Sequence, residues 1–143
     1  MTNAAASVLH LSTSWVQFSG DLEHDFAEML RWHADALLSY TAGRLFQRRA
    51  ELGAIAVKHR LPTAHPVSEM AEAGGLMSYG PNLAAQYASA ARYVDKILKG
   101  SKPGDLPVEQ PSKIDLVINL KTAKTLGLPI PRSMLLRADR VIE

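Results

Sequence analysis

Hydrophobic positions in this chain change spacing repeatedly, and each change marks an element. In "SGDLEHDFAEMLRWHADALLSY", Leu22, Phe26, Met29, Leu30 and His33 recur at helical spacing, with Ser19 or Asp21 placed to cap the start. "ADALLSY" then reads as a short buried strand. "GRLFQRRAELGAIAVKHRLP" follows as a second amphipathic helix, with Leu45, Leu52, Ile55 and Ala56 facing inward and Pro62 at its end. The pattern repeats: "PTAHPV" is a weak strand, "SEMAEAGG" a short helix closed by Gly74 and Gly75, and "LMSY" another short strand.

The clearest helix is "NLAAQYASAARYVDKILKG". Asn82 caps it, Leu83, Tyr87, Ala91, Val94 and Leu98 form its apolar stripe, and Gly100 stops it. "KIDLVINL" alternates Ile114, Leu116, Ile118 and Leu120 with Asp115, Val117 and Asn119, which predicts a strand with one face more buried. "KTAKTLGLPIP" and "RSMLLRADRVIE" predict two final helical pieces around a Pro-rich turn. Residues 1–14 carry little pattern and lead into a strand around "SWVQFS".

Strands alternating with helices across short loops predict an α/β domain, three layers with a mostly parallel sheet. Its core is expected from residues about 15 to 80, with Leu37, Leu38, Ile55 and Leu76 buried. In such sheets ligands bind beyond the carboxyl ends of the strands. "SYTAG" (39–43) and "SYGPN" (78–82) both occupy that position, each a strand end followed by a glycine-bearing turn and a helix start. Glycines there allow close approach to a ligand, and the helix start offers free N–H donors. They equally make tight turns with no ligand, and spacing alone leaves both readings open.

Composition narrows the function classes. The 143 residues suit one domain, and 47% hydrophobic with 21% charged residues is ordinary globular composition. A net charge of +2 gives no reason to expect nucleic acid or an anionic membrane as partner. The absence of cysteine excludes disulfides and thiolate chemistry. "MTNAAASVLHLSTS" lacks the pattern of a secretory signal, so the chain as written is expected to remain cytoplasmic.

Catalytic motifs are missing as well. No Walker loop, GxGxxG, HExxH or GxSxG occurs, and His10, His24, His33, His59 and His65 show no metal-ligand spacing. His33 reads as a packing residue on a helix face. Glu69 and Glu72 suit a helix start, Arg48 and Arg49 a solvated helix face, and Tyr87 with Tyr93 core plus surface. No cofactor, metal or enzymatic activity is expected.

Four segments carry a resemblance to a known family: "GGLMSYG", the helix ending "YVDKILKG", "DLPVEQP" and "LVINLKTAKTLGL", in that order and spacing. They resemble the C-terminal portion of the substrate-binding proteins of ABC transporters, receptors with a type I periplasmic-binding-protein fold. "DLEHDFAEMLRWHADALL" and "LFQRRAELGAIAVKHRLP" are similar more loosely, so the resemblance covers roughly residues 15–143. It implies a C-terminal lobe over 15–143, with the helix at about 82–99 crossing from the other lobe.

The resemblance further implies a small-molecule ligand such as an amino acid, held in a cleft between two lobes. An ABC permease is the implied partner, and the periplasm or a lipid-anchored place on the envelope the implied location. Ser78, Tyr79 and Gly80, with Tyr40 and Thr41, are the implied ligand-binding residues. Where the family usually has Asp-Pro after the first strand, this chain has Ala42-Gly43, which removes a carboxylate from a cleft loop. The chain is also about half of a family member, which raises a second expectation. With the other lobe missing, the stripe on the 82–98 helix is expected to be covered by a second copy. That gives a homodimer, in the limit a self-associating structural remnant that binds no ligand.

Overall fold

Asp21 starts the first helix as its spacing predicts. Its carboxylate accepts the His24 N–H at 3.2 Å, and α1 runs Leu22–Arg31. A computed structural model describes residues 12–40, 43–111 and 113–143 of the protein. The chain divides into two compact units, residues 1–33 and 34–143.

In the first unit, Leu22, Phe26 and Met29 form the buried stripe of α1, and the buried Asp25 accepts the Ser19 N–H at 3.1 Å. The strand expected around "SWVQFS" is absent, and residues 12–19 are irregular. His33 does not pack on the helix face. It lies past the end of α1, exposed, with φ +53°.

The second unit is a mixed α/β arrangement. Its elements are β1 (Leu37–Leu38), α2 (Gly43–Gln47), α3 (Arg49–Lys58), β2 (Thr63–His65), α4 (Ser68–Glu72) and β3 (Met77–Pro81). Then come α5 (Leu83–Leu98), a single 3-10 turn (Pro103–Asp105), β4 (Ile114–Asn119), α6 (Leu120–Leu126), α7 (Arg132–Leu135) and β5 (Arg140–Ile142). The five strands form one sheet in the order β1-β2-β3-β4-β5. All neighbours pair in parallel except β3 with β4, so the sheet is mostly parallel, and helices flank it.

Strand alternation sorts side chains onto two faces. Thr63, His65 and Ser78 point to the face that α4 covers, where Met70 and Ala71 are buried. Asn119 ties that helix down, its Nδ2 donating to the Ala71 carbonyl at 2.9 Å. Leu52, Ile55, Ala56, Leu61, Val67, Leu76, Val117, Ile118 and Ala123 complete the core of this unit. Ile55 and Leu76 are therefore buried as expected. Leu38 is not: it is 71% exposed, and Leu37 is half-buried. The reason is position, because β1 is a two-residue edge strand and Leu38 points to the face opposite α4.

Three other expectations change. The second predicted helix breaks at Arg48 (φ −99°, ψ 20°) into α2 and α3. Along β4 both faces become covered, so Val117, Ile118 and Asn119 are all buried in place of one alternating set. The last helical piece is short, and "RVI" forms β5 beside β4.

Helix α5 is capped as predicted: Asn82 Oδ1 accepts the Ala85 N–H at 3.0 Å, and Gly100 follows the helix with φ +100°. None of its residues is buried. One side meets the segment after it, where Tyr93 Oη donates to the Pro107 carbonyl at 2.5 Å and Arg92 pairs with Glu109 at 3.5 Å. The apolar stripe faces elsewhere. Tyr87 is 74% exposed, Val94 55% and Leu98 82%.

Candidate functional site

Because β1, β2 and β3 are parallel, their carboxyl ends share one edge of the sheet, and the antiparallel β4 brings its first residues there too. Tyr40 follows β1 at this edge and Tyr79 sits near the end of β3, both well exposed. Gly80 comes next and pairs with Asp115. The structure thus brings Tyr40, Tyr79 and Gly80 to one edge, while Thr41 and Ala42 lie outside the described residues.

Ser78 is placed differently. Accessibility was expected of both Ser78 and Tyr79, but only Tyr79 has it, since Ser78 is 1% exposed. Alternation explains the split: Ser78 points under α4 beside His65, and Tyr79 points the opposite way. Among the described residues, the buried Ser78 hydroxyl has no hydrogen-bond partner.

Under the edge lies a buried polar row that the sequence reading did not single out. His65 Nδ1 and Ser39 Oγ are 2.7 Å apart, and His65 Nε2 and Thr63 Oγ1 are 2.9 Å apart. Thr63 Oγ1 also accepts the Leu76 N–H at 3.1 Å, which joins β2 to the start of β3. Both ring nitrogens are satisfied by hydroxyls, as burial requires. Burial pushes the His65 imidazole down to about 4, because the charged form gives up water for two neutral hydroxyls. The row pins Ser39, the residue before Tyr40. A sequence signal existed in "PTAHPV": Thr63 and His65, two apart, must share a strand face.

The glycines are explained by contact. A Cβ at Gly80 would lie 1.8 Å from the Pro66 carbonyl oxygen, and one at Gly75 would lie 2.5 Å from the His65 ring. Neither distance is possible for a real side chain. The glycines let β3 close against the β2–α4 connection and let the chain cross over the histidine.

The same edge carries charge at its β4 side. Lys113 Nζ bridges Asp115 at 3.1 Å and Asp139 at 3.4 Å. Hydrogen bonds to Asp115 and then Asp139 hold the Lys113 ammonium above its usual range. The Asp115 carboxyl is held below its usual range, first by the hydrogen bond from Asn82 and then by Lys113. Further along, a groove of about 950 Å³ runs between α5 and the extended segment after it, lined by Gln86, Ser89, Tyr93, Pro107 and Glu109 among others. Among the described residues, no group of His, Asp and Glu is arranged to hold a metal ion, and no helix is long and apolar enough to cross a membrane.

The sequence profile of the family described as ABC transporter substrate binding protein matches residues 2–142. The chain belongs to this family. A conserved domain protein from Vibrio cholerae is similar in fold, with TM-score 0.82, 24% identity and 96% of this chain covered. The ABC domain in complex with L-Trp from Streptococcus pneumoniae is similar with TM-score 0.72 and 28% identity over 80% of this chain. A ligand-free, open substrate-binding protein with adhesive properties from Clostridium difficile has the same fold at TM-score 0.63 and 21% identity over 96%. This chain spans only 47%, 40% and 46% of those chains, about half their length. A comparison with curated proteins gives no significant match.

Proposed function

We propose that this chain supplies one wall of a solute-binding cleft in the receptor of an ABC-type importer, with the wall at the carboxyl edge of its sheet. The observation that carries this is that exposed Tyr40 and Tyr79 both stand at that edge, each next in sequence to a residue buried on the face of the hydrogen-bonded Ser39–His65–Thr63 row. Exposed rings on a fixed base offer flat apolar surface to a small ligand at little entropic cost. Tyr79 and Gly80 are the leading contacts, Tyr40 and its sequence neighbour Thr41 are further candidates, and Ser78 supports from beneath. The ligand class is an amino acid or a comparably small organic molecule, in keeping with the L-Trp complex of the relative. The reading includes no covalent chemistry. It assigns the loaded receptor to an ABC permease and places it in the periplasm or on a lipid anchor at the envelope.

A second reading is favoured by the bare face of α5: a self-associating remnant of such a receptor that binds no solute. Calorimetric titration of the purified chain with pooled amino acids and small organic acids separates the two. Saturable heat that disappears in Tyr79→Ala is the expected result. Flat titrations across all pools would leave only the self-associating form.

A further inference from the structure

The buried row under the carboxyl edge has a direction, set by how many hydrogens its groups can give and take. A neutral imidazole has one N–H and one bare nitrogen, and a hydroxyl donates one hydrogen and accepts up to two. Thr63 Oγ1 already accepts the Leu76 N–H at 3.1 Å and lies 2.9 Å from His65 Nε2. With the ring proton on Nε2, Thr63 Oγ1 accepts twice, and its own hydrogen has no acceptor among the described residues. With the proton on Nδ1, every hydrogen is used. Thr63 donates to Nε2, Nδ1–H donates to Ser39 Oγ at 2.7 Å, and Ser39 turns its hydrogen to Met70 Sδ at 4.0 Å. A thioether is a weak acceptor, but a buried hydroxyl hydrogen with none at all costs more. Burial also keeps the ring neutral, holding it down to about 4.

This run of bonds crosses the sheet. It begins on the Leu76 N–H at the entry to β3, passes through Thr63 and His65 on β2, and reaches Ser39 just after β1. The far end matters most, because β1 is a two-residue edge strand. Beyond it the Ser39 N–H donates to the Ala64 carbonyl at 3.0 Å. Ser39 is thus held twice, by its backbone and by its side chain, and Tyr40 follows directly.

We propose that His65, as its Nδ1–H tautomer, is a positioning residue of the carboxyl edge: it fixes where Tyr40 leaves β1 relative to β3, the strand that carries Tyr79. This rests on the solute-edge reading above and names what keeps that edge in shape.

Nitrogen NMR of the isotopically labelled full chain, at neutral pH and without solute, should show a protonated Nδ1 and a bare Nε2 on His65. The opposite tautomer overturns the proposal. Ser39→Ala removes the acceptor of Nδ1–H, and Ser39→Thr restores one. In Ser39→Ala the amide hydrogens at positions 39 and 40 should exchange about 10-fold faster relative to that of Ile118. Ile118 is buried in β4 and gauges global unfolding. Ser39→Thr should exchange like the unsubstituted chain. Equal acceleration at all three amides would reduce His65 to a general stabiliser and overturn the positioning role. In the pooled-solute calorimetry, saturable heat should weaken about 10-fold in Ser39→Ala and recover in Ser39→Thr. Equal affinities overturn the positioning role while the solute reading stands. The tautomer and exchange measurements use no solute, so they decide the role of His65 even where that reading fails.

Discussion

Gly80→Ala is expected to lower unfolding stability by about 3 kcal/mol or more, the upper part of the range for forced overpacking. The glycine is not in the left-handed region, so alanine suits its backbone, and the effect is steric alone. Its Cβ would lie 1.8 Å from the Pro66 carbonyl oxygen and 2.7 Å from the Pro66 carbonyl carbon. Both are backbone atoms, so no rotamer change relieves the clash. The β2–α4 connection must move away from β3, and that movement disturbs the pairing of His65 with Ser78. Gly104 is the internal control, since a Cβ there meets nothing within 4 Å. Gly104→Ala should change stability by no more than about 0.5 kcal/mol. Urea unfolding of the two variants beside the unmodified chain decides the matter. A loss under about 1 kcal/mol for Gly80→Ala would mean that β3 and Pro66 are not in contact.

The second large effect is acid sensitivity centred on His65. Its imidazole titrates near 6.5 in an unfolded chain and at about 4 when folded, because burial disfavours the cation. A folded-state value below the unfolded one means the unfolded chain binds the proton first. Stability is then full above about pH 6.5, falls as pH drops toward 4, and levels off below that. Over that window the loss amounts to about 3 kcal/mol. The Asp115 carboxyl, held below its usual range, adds a further loss only at still lower pH. In His65→Gln the slope between pH 6.5 and 4 should largely vanish, whatever the variant's absolute stability. An unchanged slope would transfer the acid response to other groups.

Much of this fold could be read from the sequence where local chemistry is self-sufficient. Asn82 and Asp21 cap their helices by contacts within three residues, and Gly100 ends α5 through its own backbone freedom. Such signals need no distant partner. The misses share the opposite property. β5 is three residues long and exists because β4 lies beside it, while Leu38 is exposed because it sits on a two-residue edge strand and points to the face opposite α4. Alternation in "LMSYG" could have separated Ser78 from Tyr79, since adjacent strand residues face opposite ways. The Ser39–His65–Thr63 row links residues 26 apart in sequence, and only the parallel pairing of β1 with β2 brings them together. The order and spacing of "GGLMSYG", "YVDKILKG" and "LVINLKTAKTLGL" pointed to a family that the match over residues 2–142 bears out.

The claim that matters most is that the carboxyl edge of the sheet holds a small solute. Backbone amide NMR of the isotopically labelled chain, titrated with amino acids and small organic acids, tests it residue by residue. Saturable shifts are expected only at Tyr40, Tyr79, Gly80 and their neighbours in sequence, with Gly104 and Gly127 unmoved. Shifts that gather along the Tyr93–Pro107 groove, or spectra unchanged by every solute, would contradict it.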